Sequence, residues 1–218
     1  MKLTYFGHSS FLVEAADGTR IVLDPYVSES FDGALRYKPI DEPADVVTAS
    51  HTHEDHAGTD TVPGNPLVLV HPTQQTVGKV EIKGVQVAHD DEGGGKRGKN
   101  TITVVDDGDI RLAHLGDLGH TLDPDTVKAV GRVDVLLVPV GGFFTIDHNV
   151  AAQVVDSLAP RIVVPMHYKT DKVDFPISGV EPFLATQKTV KRDHKSTLEV
   201  TRTGLPAERT VVVLDHSN

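Results

Sequence analysis

The segment Ser50-His51-Thr52-His53-Glu54-Asp55-His56 places three histidines and one aspartate within six positions. Neutral imidazole nitrogens and ionised carboxylates together suit Zn²⁺, Mn²⁺ or iron, and the H-x-H-x-D-H spacing is far more specific than most short motifs. The segment follows the apolar run Asp45 to Ala49, which reads as a strand. On leaving an extended strand, His51 and His53 project to the same side, and a chain that then turns into a helix brings Asp55 and His56 beside them. Two histidines can then serve one cation, with Asp55 and His56 serving a second. The chain has no cysteine, so a disulfide framework, a thiol nucleophile, Fe–S ligation and thiolate zinc sites are excluded. Any metal must be held by His, Asp or Glu.

The elements that position these residues are read from period and punctuation. The first half is a succession of short runs rich in Val, Ile, Leu and Thr, at 2–6, 10–15, 20–24, 45–50, 67–70, 80–88, 101–105 and 109–115. Asp17-Gly18 and Asp107-Gly108 suit tight hairpins between them. In the second half, Asp134 to Val140 and Arg161 to Pro165 are near-continuous apolar strands of the kind covered on both faces. Between them Ala151, Val154, Val155 and Leu158 share one helical face. Further helices are expected at Pro124 to Val130, capped by Asp123, and at Gly179 to Lys188, with Lys188 to Lys195 as an exposed helix face. Strand-helix-strand units after a β-rich half imply two sheets with helices on their outer faces, in one domain spanning 1–218.

Composition narrows the function classes. With 218 residues, 39% hydrophobic and 24% charged, the chain can bury a sizeable core without disulfides. The net charge, 21 − 31 = −10, argues against a nucleic-acid footprint or an anionic membrane partner and favours small-molecule substrates. Without Trp and with 5% aromatics, a base-stacking platform is not expected. The N-terminus lacks signal-peptide features and no apolar run reaches the roughly 18 residues needed for a span. A cytoplasmic protein is expected, with no membrane insertion and with homo-oligomerisation left open.

On these motifs the chain resembles the metallo-β-lactamase superfamily of metal-dependent hydrolases, in particular its branch of small single-domain bacterial and archaeal proteins. The matching residues are His51 to His56, the strand Ile21-Val22-Leu23-Asp24-Pro25, Gly116-Asp117, and Pro165-Met166-His167-Tyr168. Phe6-Gly7-His8-Ser9-Ser10-Phe11, Gly116-Asp117-Leu118-Gly119-His120 and Pro139-Val140-Gly141-Gly142 also resemble that branch. The resemblance implies a four-layer αββα sandwich with metals at one edge between the sheets. It assigns His51, His53 and His89 to a first metal, Asp55, His56 and His167 to a second, and Asp117 as the bridge. The expected cofactor is two divalent ions per chain, zinc first, with manganese or iron as alternatives. Two bridged cations would lower the pKa of a shared water from about 15.7 toward 7 and supply a hydroxide that attacks an ester, amide or phosphodiester. The cysteine that some β-lactamases carry at the second site has no counterpart, which argues against antibiotic hydrolysis as the native role.

Asp24 is expected to orient a metal ligand by hydrogen bonding, since ligating histidines need a partner on the other ring nitrogen. Asp55 would orient the hydroxide, and His120 or His8 would protonate the leaving group. His114 is the runner-up to His89 and otherwise structural, His148 belongs to a helix start, and His71, His194 and His216 have no supporting partners. The long segments 25–43, 90–100 and 141–148 are the substrate-determining loops, with Phe143 and Phe144 as an apolar wall and Lys96-Arg97-Gly98-Lys99 as an anion-holding turn. Two other classes fit the same ligands: a mononuclear iron-dependent oxygenase and a non-catalytic metal-binding module.

Overall fold

The computed structural model describes all of residues 1–218. Fourteen strands form two sheets. The first holds β1 (Lys2–Gly7), β2 (Ser10–Glu14), β3 (Arg20–Leu23), β4 (Val46–Ala49), β5 (Leu67–Val70) and β13 (Thr197–Glu199). The second holds β6 (Gln74–Val77), β7 (Val80–Ala88), β8 (Lys99–Asp106), β9 (Arg111–His114), β10 (Val135–Pro139), β11 (Ile162–Met166), β12 (Val190–Arg192) and β14 (Thr210–Val213). The six-stranded order is β13-β1-β2-β3-β4-β5 and the eight-stranded order is β12-β14-β11-β10-β9-β8-β7-β6.

The alternation of side chains across each strand dictates the layers. Between the sheets, Leu3, Phe11 and Leu23 from the first meet Leu112, Leu137 and Val164 from the second. The neighbours Leu136, Val138 and Val163 face the other way and pack on Ala151, Val154, Val155 and Leu158 of the helix His148–Leu158. That two-sided burial explains why β10 and β11, paired in parallel with Leu137 opposite Val164, read as continuous apolar runs. The helix starts at Asp147, whose carboxylate accepts the N–H groups of Asn149 and Val150. Asp123 caps the helix Pro124–Val130 in the same way through Thr126 N–H. His148 is the first residue of its helix, as expected.

The outer layer over the six-stranded sheet differs from the expected helices. Phe6, Leu12, Val22 and Val47 are covered by Tyr26, Leu35, Tyr37 and Ile40, all from the irregular segment between β3 and β4. Its single helical turn, Ser30–Gly33, contains left-handed backbone at Phe31 and Asp32. The helix expected over Gly179 to Lys188 shrinks to Glu181–Leu184, and Lys188 to Lys195 contains strand β12 in place of a helix face. The reason is non-local: β12 pairs in parallel with β14, with Val190 opposite Val211 and Arg192 opposite Val213, a partnership invisible to local periodicity. Strands β6, β13 and β14 were not among the expected runs, being short or largely polar apart from β14. No helix is long and apolar enough to cross a membrane.

Leu137 is fully buried between the sheets. Leu137→Ala should cost about 2–5 kcal/mol of unfolding free energy, measured by urea denaturation, because the rigid parallel pair cannot collapse onto the cavity.

Candidate metal centre

The donors sit where strands end. The turn after β4 supplies His51 to His56, the end of β7 leads to His89, the turn after β9 to Asp117, and the end of β11 to His167. The expected helix after His53 is absent; bends and turns carry residues 51–56, and a 3₁₀ turn follows only at Thr59–Thr61. Three of the residues here hold left-handed backbone: His8 (φ 52°), Asp24 (φ 45°) and His167 (φ 50°). Such conformations cost about 1–3 kcal/mol each and persist where surrounding contacts over-determine them. His167 N–H donates to the His8 carbonyl at 2.9 Å, so two of the three brace each other.

Two groups of donors result. The donor atoms of His51, His53 and His89 lie within 4.8 Å of one another, as do those of His8, Asp55, His56 and His167. His51 Nε2 and His53 Nδ1 are 3.0 Å apart. Asp117 stands between the groups with one oxygen toward each. Its Oδ2 is 3.2 Å from His89 Nε2 and 3.8 Å from His51 Nε2, while its Oδ1 is 3.0 Å from His56 Nε2 and 3.4 Å from His167 Nε2. Despite these short separations, His56 Nε2, His167 Nε2 and Asp117 Oδ1 are buried without a properly directed hydrogen bond. Buried polar atoms left so are rare and costly. Their lone pairs converge on shared space, which is the arrangement a cation satisfies, so the residues fit a metal.

Behind the donors lies the fully buried Asp24. Its Oδ2 accepts His56 Nδ1–H at 2.7 Å and the Ser50 hydroxyl, and its Oδ1 accepts Ser50 N–H at 2.8 Å. Ser50 Oγ in turn accepts His51 Nδ1–H at 3.0 Å. One carboxylate therefore fixes the tautomer of a histidine in each group, leaving both Nε2 atoms as acceptors. Burial works against its ionisation, but His114 and His56 hold its carboxyl below the usual range. Asn100 performs a related task. Its amide donates to the Leu115 carbonyl at 2.8 Å and accepts Asp117 N–H at 3.0 Å, which pins Asp117 between the two groups of donors.

The electrostatics suit cation binding. Burial pushes His51 and His167 down to about 3, so both imidazoles are neutral at pH 7. Burial would raise Asp117, yet His167 and His56 hold it well below the ordinary carboxylate range, and Asp55 is lowered against burial by His56 and His8. Burial lowers His56, but Asp117 and Asp55 outweigh it and raise the ring well above its ordinary value. Two ionised carboxylates beside the neutral rings of His51 and His167 favour a positive charge at the centre, the preference that raises His56 and that a divalent cation also meets.

The two expected acids separate. His8 is fully buried and donates Nε2–H to Asp55 Oδ2 at 3.1 Å, with its ring centroid 4.2 Å from that of His167. The structure does not bring His120 to the donors: its Nε2 accepts Ala88 N–H at 3.2 Å and its Nδ1–H donates to the Thr121 carbonyl at 2.6 Å. Both nitrogens are spent on backbone, tying the segment after β9 to β7. His114 is likewise satisfied, donating to the Ser9 carbonyl at 2.7 Å and accepting Gly116 N–H at 3.0 Å. Gly119 allows the segment after Asp117 to lie against His89, since a Cβ there would fall 2.3 Å from Asp90 N. Ser50, Asn100, Phe31 and Phe175 were not singled out from sequence. Ser50 alone carried a signal, as a hydroxyl adjoining the first histidine.

Residues 2–167 match the family model of the beta-lactamase superfamily domain. The UPF0173 protein of Pyrococcus furiosus is 32% identical, with 78% of this chain and 84% of the relative covered. A UPF0173 metal-dependent hydrolase of Opitutus terrae is 29% identical, covering 94% and 95%. A crystal structure from Thermotoga maritima, named a Zn-dependent hydrolase of the metallo-beta-lactamase superfamily, is 40% identical with a TM-score of 0.80, covering 98% of this chain and 97% of that one.

Asp24→Ala should weaken metal binding about 10- to 100-fold by releasing His51 and His56 together. Metal content after dialysis against a graded chelator, by elemental analysis, would read this, and unchanged retention would contradict the role given to Asp24. By its matched domain, its relatives and its sheet architecture, the chain belongs to the metallo-β-lactamase superfamily, in its UPF0173 group of metal-dependent hydrolases.

Proposed function

We propose that the chain is a dinuclear hydrolase acting on an ester, amide or phosphodiester of a small molecule. The observation that carries this reading is Asp117, whose two oxygens are divided between His89 and the pair His56 and His167. A carboxylate so placed would bridge two cations, of which His51, His53 and His89 would hold one and Asp55, His56 and His167 the other. Zinc is the first choice for this nitrogen and oxygen donor set, and the Thermotoga relative is named for it. When bound, two such ions supply a water that ionises near neutral pH and stabilise negative charge developing on the substrate.

The chain's own residues then divide the work. Asp55 borders a cleft of about 220 Å³ together with His53, His89 and Asp117. Its carboxyl is held ionised, so it orients a water as an acceptor and does not carry the proton. His8 locks that carboxylate through Oδ2 and is a positioning residue. Asp24 and Ser50 keep the opposite edges of His56 and His51 protonated, so neither imidazole turns away from the reaction space.

Protein purified without added metal should contain about two zinc or manganese ions per chain by elemental analysis. Activity on a panel of nitrophenyl esters and phosphodiesters should vanish on chelation and return with the metal. His53→Ala or Asp117→Ala should each lower kcat/KM by at least about 100-fold with an unchanged circular dichroism spectrum, since each removes charge stabilisation from the reacting centre. Full activity in either variant would overturn the reading, and a single iron with oxygen uptake would replace it.

A further inference from the structure

The walls of the cleft come from four segments that are distant in sequence. Phe31 precedes β4, Arg97 lies between β7 and β8, Phe144 follows β10 and Phe175 follows β11. The aromatic rings form a chain, with centroids of Phe31 and Phe175 5.3 Å apart and of Phe175 and Phe144 5.7 Å apart. Phe143 continues it, 4.7 Å from Phe144. At that end the Arg97 guanidinium lies 5.7 Å from the Phe144 ring centroid.

Two of these rings are held in a costly way. Phe31 (φ 54°) and Phe143 (φ 63°) both occupy left-handed backbone, an outlier for bulky side chains, and are 44% and 63% exposed. Both leave much of their apolar surface in water, so the strained backbone holds that surface at the rim of the cleft. Arg97 is also held in advance. The buried Asp90 accepts the N–H groups of Glu92, Gly94, Lys96 and Arg97, the last at 2.7 Å, which fixes the turn on one carboxylate. The neighbouring Lys96 is engaged with Glu92 at 2.6 Å. Arg97 has no carboxylate partner: its one side-chain hydrogen bond goes to the Phe143 carbonyl at 3.1 Å. Arg97 lines the cleft, and its guanidinium keeps further N–H groups in a planar fork of the kind that holds carboxylates and phosphates.

We propose that the substrate is a small amphipathic anion: an aryl or branched apolar group seated on Phe31 and Phe175, and a carboxylate or phosphate group held by Arg97 at the Phe144 end. The proposal rests on the hydrolase reading for the position of the scissile bond, which lies between the two over Asp55 and Asp117. A cleft of 220 Å³ holds roughly seven waters at ~30 Å³ each, room for the reacting part of a small molecule. The overall charge of −10 repels anions at long range, so recognition falls to this one cation beside the donors.

The test compares 3-phenylpropionate with its neutral amide, 3-phenylpropanamide, binding to the zinc-loaded protein by calorimetry. The wild type should favour the carboxylate, and R97A should lower the ratio of the two affinities about 10- to 100-fold, the range for losing a charged hydrogen-bonding partner. R97K should restore part of the ratio, because lysine keeps the charge without the fork. F31A should weaken both ligands. A ratio that R97A leaves unchanged would show that the metals alone hold the anion and would overturn the proposal, as would equal binding of acid and amide by the wild type. A second arm measures turnover of mono-4-nitrophenyl glutarate against 4-nitrophenyl valerate, where R97A should lower the glutarate-to-valerate ratio of kcat/KM by at least about tenfold. If neither ester is cleaved, the hydrolase reading loses support while calorimetry still decides the anion site.

Discussion

The organisation of the centre depends on one buried carboxylate. Asp24 is fully enclosed, and a charge in that position is tolerated only because each oxygen is occupied by a donor that needs orienting. The consequence runs in two directions: His56 is fixed directly and His51 through the Ser50 hydroxyl. Since those histidines belong to different donor groups, the spacing between the groups is set from behind by Asp24 before any ligand approaches from the front. The left-handed backbone at Asp24 is part of the same arrangement, turning the chain at the end of β3 so that the side chain points under β4.

Around that carboxylate the sheets supply rigidity and the turns supply chemistry. The layers are fixed by alternation, with Leu137 and Val164 facing the first sheet and Leu136 and Val163 facing the helix. Every donor lies just beyond a strand terminus, where the backbone is free to adopt conformations that a ladder forbids. The centre therefore combines placement set by packed strands with the bent geometry that converging lone pairs require. Asn100 and Gly119 show how closely the turns fit, one clamping Asp117 and the other letting its segment lie against His89.

Much of this was legible in the sequence. The cluster at 51–56 stood out because donor chemistry restricts both residue type and spacing; the strand leading to His167 stood out because two-sided burial makes it uniformly apolar, and those leading to Asp24 and Asp117 read as short runs rich in Val, Ile, Leu and Thr. What stayed hidden depends on contacts between distant segments. Nothing local places Phe31 and Phe175 side by side, and nothing in Val190 to Arg192 announces its pairing with β14. His120 shows the converse: a suggestive position three residues after Asp117 is used to hold Ala88 and Thr121. Asn100 reads as an ordinary strand-end residue until its two hydrogen bonds are seen.

The donors come from turns after β4, β7, β9 and β11, and hence from both sheets and from widely separated parts of the chain. No nascent fragment can present the complete set. A chain emerging as far as β5 would own His51, His53, Asp55 and His56 but lack His89, Asp117 and His167. The complete centre therefore requires both sheets to be packed face to face, and a cation bound there would favour the finished topology over partly collapsed forms. The centre acts as a latch across the seam of the sandwich, engaged only when both halves are in register.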